Sequence, residues 1–340
     1  MKENPNLDLL RAVAVSLVVL SHATPVGGQA FVEAFNFGTF GRVGVALFFV
    51  HTTLVLMMSL ERHGASAGPF LVRRFFRIYP LAIAAVLVGL AEKSRSGSPI
   101  SLPEVAANLL LVQNLTGHMS MPNQLWTLPF EVQMYLFLPT LFAVTQRHRP
   151  LLRVALICAG SLALGLVLFY TLWKGGDLVS PFHYIPCFLP GVLAYVLVLR
   201  GPGTWSPVVL FGFVIAAAAV IPVLVSAGAD EAPMFWVLCL LLGLLLPMCR
   251  SITYAPLVRT AKVVATYSYG IYLTHVLALM LGFGGMASHP RYVQWGMALL
   301  MLAGLPFAAY RLIEQPGIKL GVWLTEGPKK KTPAREAAGV

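Results

Sequence analysis

Charged side chains are scarce in this sequence. Asp, Glu, Lys and Arg make up 11% of its 340 residues, whereas hydrophobic residues make up 58%. A soluble globular protein has about 25% charged residues, because its surface must be hydrated. No polar stretch is long enough to form a soluble domain, and apolar runs of about 17–25 residues, the length of a bilayer span, recur throughout the chain. The composition therefore excludes a soluble domain and predicts an integral membrane protein.

Cysteine is also rare. The four cysteines, Cys158, Cys187, Cys239 and Cys249, lie in apolar runs and lack the spacing of metal ligands. Cysteines in such positions are usually unpaired thiols that pack as small hydrophobic side chains. We therefore predict neither a structural disulfide nor a metal site.

Acidic residues are fewer than basic ones, 13 against 24, which gives a net charge of +11. In a soluble protein this excess would favour nucleic acid as a partner, but in a membrane protein it marks the cytoplasmic loops. We expect no nucleic acid partner. Anionic membrane lipids and the phosphates of a nucleotide-bearing cofactor are the partners that the charge favours instead.

Apolar runs separated by glycine- and proline-rich breaks predict about ten transmembrane helices. We place them near residues 7–23, 43–60, 78–92, 131–146, 151–171, 184–199, 207–226, 233–249, 263–282 and 293–312. Because Asp8 and Arg11 interrupt the first run, we expect an uncleaved span and not a signal peptide. The sequence thus predicts an all-α, polytopic fold, with one transmembrane domain over residues 1–325 and a basic, disordered cytoplasmic tail over 326–340.

The basic residues also predict the orientation of these spans. If the N-terminus is cytoplasmic, most of the 24 lysines and arginines fall on the cytoplasmic side, as the positive-inside rule requires. The exceptions are Arg42, Lys93, Arg95, Lys174 and Arg291. We therefore expect both termini to be cytoplasmic. In the long outer segment 93–130, apolar residues at helical spacing predict a helix over 103–115.

Two ionisable residues in the first span are candidate functional groups, since such groups are costly at bilayer depth. Arg11 and His22 share one helix face, roughly 16 Å apart along the axis at about 100° and 1.5 Å per residue. Arg11 therefore lies near the inner end and His22 near the outer end. Taken alone, Arg11 could be an ordinary topology marker and His22 an interfacial residue with a satisfied ring.

A second basic group precedes the third span. Arg74 and Arg77 share a helix face, and arginine side chains suit phosphate groups. The alternative is again a topology marker. Glu131 enters the fourth span with Tyr135 one turn later, and its alternative role is that of a helix N-terminal acid.

Two further features lie near the C-terminus. His275 lies within an apolar span, where it is either functional or a hydrogen-bonded packing residue. Arg311 and Glu314, three residues apart, predict a local ion pair.

Taken together and in order, several stretches resemble the acyltransferase family 3 membrane proteins, which acylate glycans and other hydroxyl compounds. The matching stretches are residues 7–12 with His22 (the arginine-ten residues-histidine spacing), 44–50 (GVALFFV), 74–80 (RFFRIYP), 126–131 (WTLPFE), 268–275 (SYGIYLTH) and 311–316 (RLIEQP). One departure follows Val50, where the family usually has Ser-Gly and this chain has His51-Thr52.

The resemblance implies an O-acyltransferase of the bacterial inner membrane. It would use cytoplasmic acyl-CoA, most plausibly acetyl-CoA, as co-substrate, without a metal. The acceptor would be a hydroxyl of a cell-surface glycan, its lipid-linked precursor or a small natural product. The roles that it implies are catalysis for His22 and Glu131, CoA binding for Arg11, Arg74 and Arg77, and substrate binding for Trp126, Tyr135 and His275.

In this interpretation His22 is a catalytic base or a transient acyl carrier, and Glu131 either orients His22 or binds the acceptor. A transporter or flippase is the alternative function, although the sequence shows no repeated halves of the kind that transporters often have. A structural or receptor-like membrane protein is a third hypothesis, which the ordered motifs disfavour.

Overall fold

The computed structural model describes residues 4–27, 36–64, 66–173 and 181–327. Thirteen α-helices account for most of these residues. They are α1 (Pro5–Gly27), α2 (Phe37–Arg62), α3 (Ala67–Arg95), α4 (Leu102–Leu109), α5 (Gln113–Thr116), α6 (Leu128–Thr145), α7 (Pro150–Leu168), α8 (Pro181–Val198), α9 (Pro207–Ser226), α10 (Glu231–Met248), α11 (Ala255–Leu279), α12 (Arg291–Ala309) and α13 (Gln315–Glu326). A 3₁₀ helix (Asn123–Thr127) leads into α6, and π-helical turns follow α7, α11 and α12 at Phe169–Trp173, Met280–Gly284 and Tyr310–Glu314.

The all-α, polytopic fold predicted from the sequence is confirmed. Among the described residues, nine helical segments are long and apolar enough to cross a membrane. The remaining predicted span, near 184–199, corresponds to α8, whose described apolar part, His183–Val198, is shorter than the nine segments. Which side of the membrane the termini occupy stays a prediction, and the basic tail lies outside the described residues beyond Gly327.

Helix α8 lies inside the bundle. It packs against α2, α7 and α10, and most of its side chains are buried, including Leu189, Ala194 and Tyr195. Helix α8 has 18 residues, as many as α6 and α10, so it is long enough to cross the membrane in the centre of the fold.

Helices α1, α2 and α11 pack closely and form the frame of the candidate site. Gly44 of α2 lies directly against the backbone of α1, where an added Cβ would come within 2.5 Å of the Ala14 carbonyl oxygen. Small residues allow helices in membranes to approach this closely. The close approach brings Arg11 on α1 and His51 on α2 to one cavity.

The outer segment differs from its prediction in one respect. The single helix predicted over 103–115 is divided into α4 and α5, because the chain turns at Leu111, whose φ is 54°. The buried Asn108 side chain then binds the backbone of Met119 and Met121, at 3.0 and 2.7 Å. These bonds fix the loop that precedes α6.

The end of the last span also differs from its prediction. A π-helical turn at Tyr310–Glu314 interrupts the regular i, i+3 spacing, so Arg311 and Glu314 do not face each other. The Arg311 guanidinium lies over the Phe307 ring at 5.5 Å, whereas Glu314 is fully buried. The predicted ion pair between Arg311 and Glu314 is therefore wrong.

Candidate active site

A polar cavity of ≈ 80 Å³ lies between α1, α2, α3, α6 and α11, and we call it the central cavity. Its charged lining residues are Arg11, Arg74, Arg77 and Glu131. Its other polar lining residues are His51, Thr52, Thr127, Tyr135, Ser268, Tyr269 and Tyr272. Four of the sequence-predicted site residues in the first, third and fourth spans thus come together, with Tyr135 as a fifth.

A hydrogen bond holds Arg11 in this cavity. Its Nε donates to the Ser268 hydroxyl oxygen at 2.5 Å, and that hydroxyl donates to the Ala265 carbonyl at 2.8 Å. The guanidinium is therefore held between α1 and α11, where it lines the central cavity. Sequence reasoning quoted Ser268 only as part of a motif and missed this role.

The arginine pair of α3 also faces the cavity. Arg74 and Arg77 both line it, whereas the neighbouring Arg73 turns away and contacts the Glu326 carboxylate at 3.5 Å. This division follows from the i, i+3 spacing of Arg74 and Arg77. The buried Arg74 Nε has no hydrogen-bond partner, so the site holds an unused donor.

Glu131 lies at the first turn of α6 and faces into the cavity. Its two carboxylate oxygens accept long hydrogen bonds, both 3.4 Å, from the hydroxyls of Thr52 and Tyr135. Neither bond involves His22. The helix face that carries Glu131 points to Thr52 on α2. The two roles considered for Glu131, orienting His22 or binding the acceptor, stay predictions.

A second cavity, of ≈ 310 Å³, adjoins the first, and we call it the end cavity. The start of α1 and the end of α2 line it, and its cationic residues are Arg11, Arg62, Arg77 and Lys262. Asp8 lines it as well. Arg11, His51, Val55 and Arg77 line both cavities, so these side chains form the junction between the two.

His22 lies elsewhere. It is exposed, and it is not among the residues that line the central cavity or the end cavity. Although Arg11 and His22 both lie on α1, only Arg11 lines these two cavities. Instead, the His22 ring contacts the His275 ring edge-on, with centroids 4.9 Å apart.

His275 connects His22 with the cavity wall. Its ring lies 6.0 Å from that of Tyr272, which lines the central cavity and bonds to Thr127 at 2.8 Å. His275 is fully buried, its Nδ1 faces the Tyr272 carbonyl at 2.7 Å, and its Nε2 has no partner. A role as a hydrogen-bonded packing residue, one of the two considered for His275, accounts for Nδ1 but not for the unpartnered Nε2.

The tautomer of His22 follows from its own contact. Its Nδ1 lies 2.9 Å from the Val18 carbonyl oxygen, which can only accept a hydrogen bond. Nδ1 therefore carries the proton in that contact, and Nε2 has the lone pair that a general base needs.

Two other residues complete the account of the predicted site. Trp126 is half-buried against the rings of Phe130 and Tyr184 and does not line the central cavity, although its neighbour Thr127 does. Glu314 is fully buried, without hydrogen-bond partners for its carboxylate, and interacts electrostatically with Arg77 and Arg11. Sequence reasoning missed this second carboxylate behind the arginines.

Comparisons with known proteins support one family. A family model described as an acyltransferase domain matches residues 4–310. Nodulation protein 10 of Rhizobium leguminosarum bv. viciae is 26% identical over 360 aligned positions, which cover 93% of each chain. ORF330, a provisionally named acetyltransferase of Acidianus two-tailed virus, is 25% identical over 169 positions, 49% of this chain and 51% of its own length. No solved structure matches the chain significantly.

Proposed function

Because this chain belongs to the acyltransferase 3 family, we propose that it transfers an acyl group, with acetyl as the first candidate, from acyl-CoA to a hydroxyl. The acceptor would belong to a cell-surface glycan, its lipid-linked precursor or a small natural product, and the enzyme would act in a bacterial inner membrane. The observation that carries this proposal is the pair of adjoining cavities, one cationic at the end of the bundle and one buried and polar.

The charges of the end cavity suit the nucleotide end of CoA. Arg11, Arg62, Arg77 and Lys262 together present donors for the phosphates of the cofactor, and arginine forks bind phosphate oxygens in pairs. In the predicted orientation this cavity would open to the cytoplasm, where CoA is found. The pantetheine arm would then enter the central cavity beside Arg74 and Glu131.

The proposed reaction is a direct acyl transfer. Nε2 of His22 takes the proton of the acceptor hydroxyl while the hydroxyl oxygen attacks the thioester carbonyl. A C–O bond to the acceptor forms, and the C–S bond to CoA breaks. The proton then passes to the departing CoA thiolate. For this step the acyl group must reach His22 past the rings of Tyr272 and His275. Glu131 would act in the central cavity, as a hydrogen-bond acceptor for a substrate group.

The test uses purified protein in lipid vesicles and labelled acetyl-CoA, together with mass spectrometry of surface glycans and small metabolites from cells with and without the protein. We expect an acyl-sized mass difference on one acceptor, and CoA release that depends on it. Transport of a candidate acceptor without any acyl donor, and no consumption of acetyl-CoA, would favour the transporter instead.

His22→Ala is the first variant to measure. Loss of a general base should lower the transfer rate by about 10²–10⁴-fold. Because His22 is exposed, its loss should leave the melting temperature unchanged. His289→Ala, at an exposed position before α12, is the matched control and should transfer at the wild-type rate. Transfer at the wild-type rate by His22→Ala would remove His22 from the mechanism.

A further inference from the structure

His51 stands at the junction of the two cavities, and nothing in the proposed reaction so far uses it. It lies on α2, is 3% exposed, and lines both the central cavity and the end cavity. Its Nδ1 is buried and has no hydrogen-bond partner. Nearly all buried polar groups in proteins have a partner, so an unpartnered ring nitrogen on a residue that lines two cavities indicates a ligand group.

The surroundings of His51 restrict what that ligand group can be. On one side the end cavity carries the cations Arg11, Arg62, Arg77 and Lys262, which suit phosphates. On the other side, the adjacent residue Thr52 is bonded to Glu131 in the central cavity. A ligand that extends from the phosphate end to the carboxylate end must pass His51. The part of CoA that follows its phosphates is the pantetheine arm, whose amides each offer a donor and an acceptor.

We infer that His51 binds the acyl donor by a hydrogen bond from its ring nitrogen Nδ1 to an amide of the pantetheine arm, at the point where the arm passes from the end cavity into the central cavity. The inference rests on the proposed function and specifies one contact within it. An amide suits either tautomer of the ring, because its N–H can donate to an unprotonated Nδ1 and its carbonyl can accept from a protonated one. His51 is thus a donor-binding residue, and the neighbouring bond from Thr52 to Glu131 fixes this turn of α2 beside it.

The test compares two probes that differ in the arm. The dissociation constants of CoA and of adenosine 3′,5′-bisphosphate, which has the nucleotide end and no arm, are measured by calorimetry on the detergent-solubilised full chain. For His51→Ala we expect CoA to bind about 10-fold more weakly, equivalent to about 1.4 kcal/mol, with the bisphosphate unchanged. His51→Asn keeps a hydrogen-bonding group and should recover part of the CoA affinity.

Two control variants distinguish the loss of this contact from a general loss of structure. His63→Ala removes the same ring from the exposed end of α2 and should bind both probes like wild type. Arg62→Ala, in the end cavity, should weaken both probes together. If His51→Ala cannot be purified folded, His51→Asn alone decides: an intermediate CoA affinity with unchanged bisphosphate affinity supports the contact.

Different results would contradict the His51 contact and the acyltransferase proposal. Wild-type CoA affinity in the His51 variants, or an equal loss for both probes, would overturn the role of His51 and leave the acyltransferase proposal standing. A wild-type protein that binds neither probe would overturn the proposed donor, and the His51 contact with it.

Discussion

Single polar side chains at bilayer depth carry most of the argument for this protein. Ionisable groups within a membrane-spanning helix cost several kcal/mol unless they are paired or hydrated. Here three arginines and one glutamate face the same small cavity, and Arg74 keeps an unused N–H there. The free-energy cost of burying these charges is high for a purely structural role, which favours a ligand with negative and polar groups.

Glu131→Gln tests the carboxylate of the cavity. The change keeps the size of the side chain and its bonds to hydroxyls, but removes the negative charge that faces Thr52 and Tyr135. Because Glu131 is proposed as a hydrogen-bond acceptor, we expect the acyl-transfer rate to fall about 10- to 10²-fold, with folding retained, as measured by turnover and circular dichroism.

The matched control for this change is Glu92→Gln, at an exposed carboxylate near the end of α3. It should transfer at the wild-type rate. Equal rates for Glu131→Gln and wild type would show that the charge of Glu131 has no part in the reaction.

Ser268→Ala tests the anchor of Arg11. The change removes the acceptor of the Arg11 Nε hydrogen bond, so the guanidinium loses its fixed position. We expect KM for acetyl-CoA to rise about 10-fold, while kcat changes little. The control is Ser161→Ala on α7, whose hydroxyl also bonds to the carbonyl three residues earlier but lies away from Arg11. An equal change in both variants would mean a general packing effect.

At this scale the sequence singled out five residues that meet in the central cavity, but neither how they are bonded nor that His22 and Trp126 lie outside it. The i, i+3 spacing correctly indicated that Arg74 and Arg77 share a face. The partners of Glu131 and the position of His22 depend on how α1, α2, α6 and α11 pack. A single sequence does not contain these packing angles, so it could not predict the bond between Thr52 and Glu131.

Helix packing sets the geometry that these residues need. Helix α2 lies between α1 and α8, and glycines at both contacts let the backbones approach. At the second contact, an added Cβ at Gly191 of α8 would come within 2.5 Å of the Val50 carbonyl oxygen. The turn of α2 that carries His51 and Thr52 is therefore held by close backbone contacts next to it.

Gly44→Ala tests the first of these contacts. The new methyl group would overlap the Ala14 carbonyl, and overpacking of this kind typically costs about 1–3 kcal/mol. We expect a lower melting temperature in detergent and weaker CoA binding, because Arg11 and His51 would separate. Gly160→Ala on α7 is the control: nothing lies within 4 Å of its added Cβ, so its stability should be equal or slightly higher.

Helix existence was predictable from the sequence, and helix details were not. Long apolar runs predicted that these spans exist, because hydropathy and length decide them. Their bounds were less accurate: α3 begins at Ala67 and α11 at Ala255, before the predicted starts at 78 and 263. The turn at Leu111 and the π-helical turn at Tyr310–Glu314 have no comparable signal in hydropathy. The latter overturned the Arg311–Glu314 pair and placed Glu314 behind the arginines.

On the scale of the whole molecule, the orientation and the number of crossings decide which side of the membrane each loop faces, and with it the side to which the end cavity opens. Substituted cysteines test it directly, because all four native cysteines are buried. Ser98 follows α3 and Ser251 follows α10, and both are exposed. An odd number of crossings separates them if helix α8 spans the membrane, and an even number if it does not.

We expect an impermeant maleimide to label Ser98→Cys in intact spheroplasts, and Ser251→Cys only after permeabilisation. Labelling of both from outside would mean that α8 does not cross. The reverse pattern would invert the orientation and place the cationic end cavity outside the cell, away from cytoplasmic CoA.

The most direct test of the donor site is photolabelling of the full chain with a short acyl-CoA that carries a diazirine on its acyl group. The account predicts labels on the segments of α2 and α6 that line the central cavity and on α1 and α11 beside His22, all suppressed by excess CoA. Labels confined to the lipid-facing helices α7 and α9, or labels that excess CoA does not reduce, would contradict it.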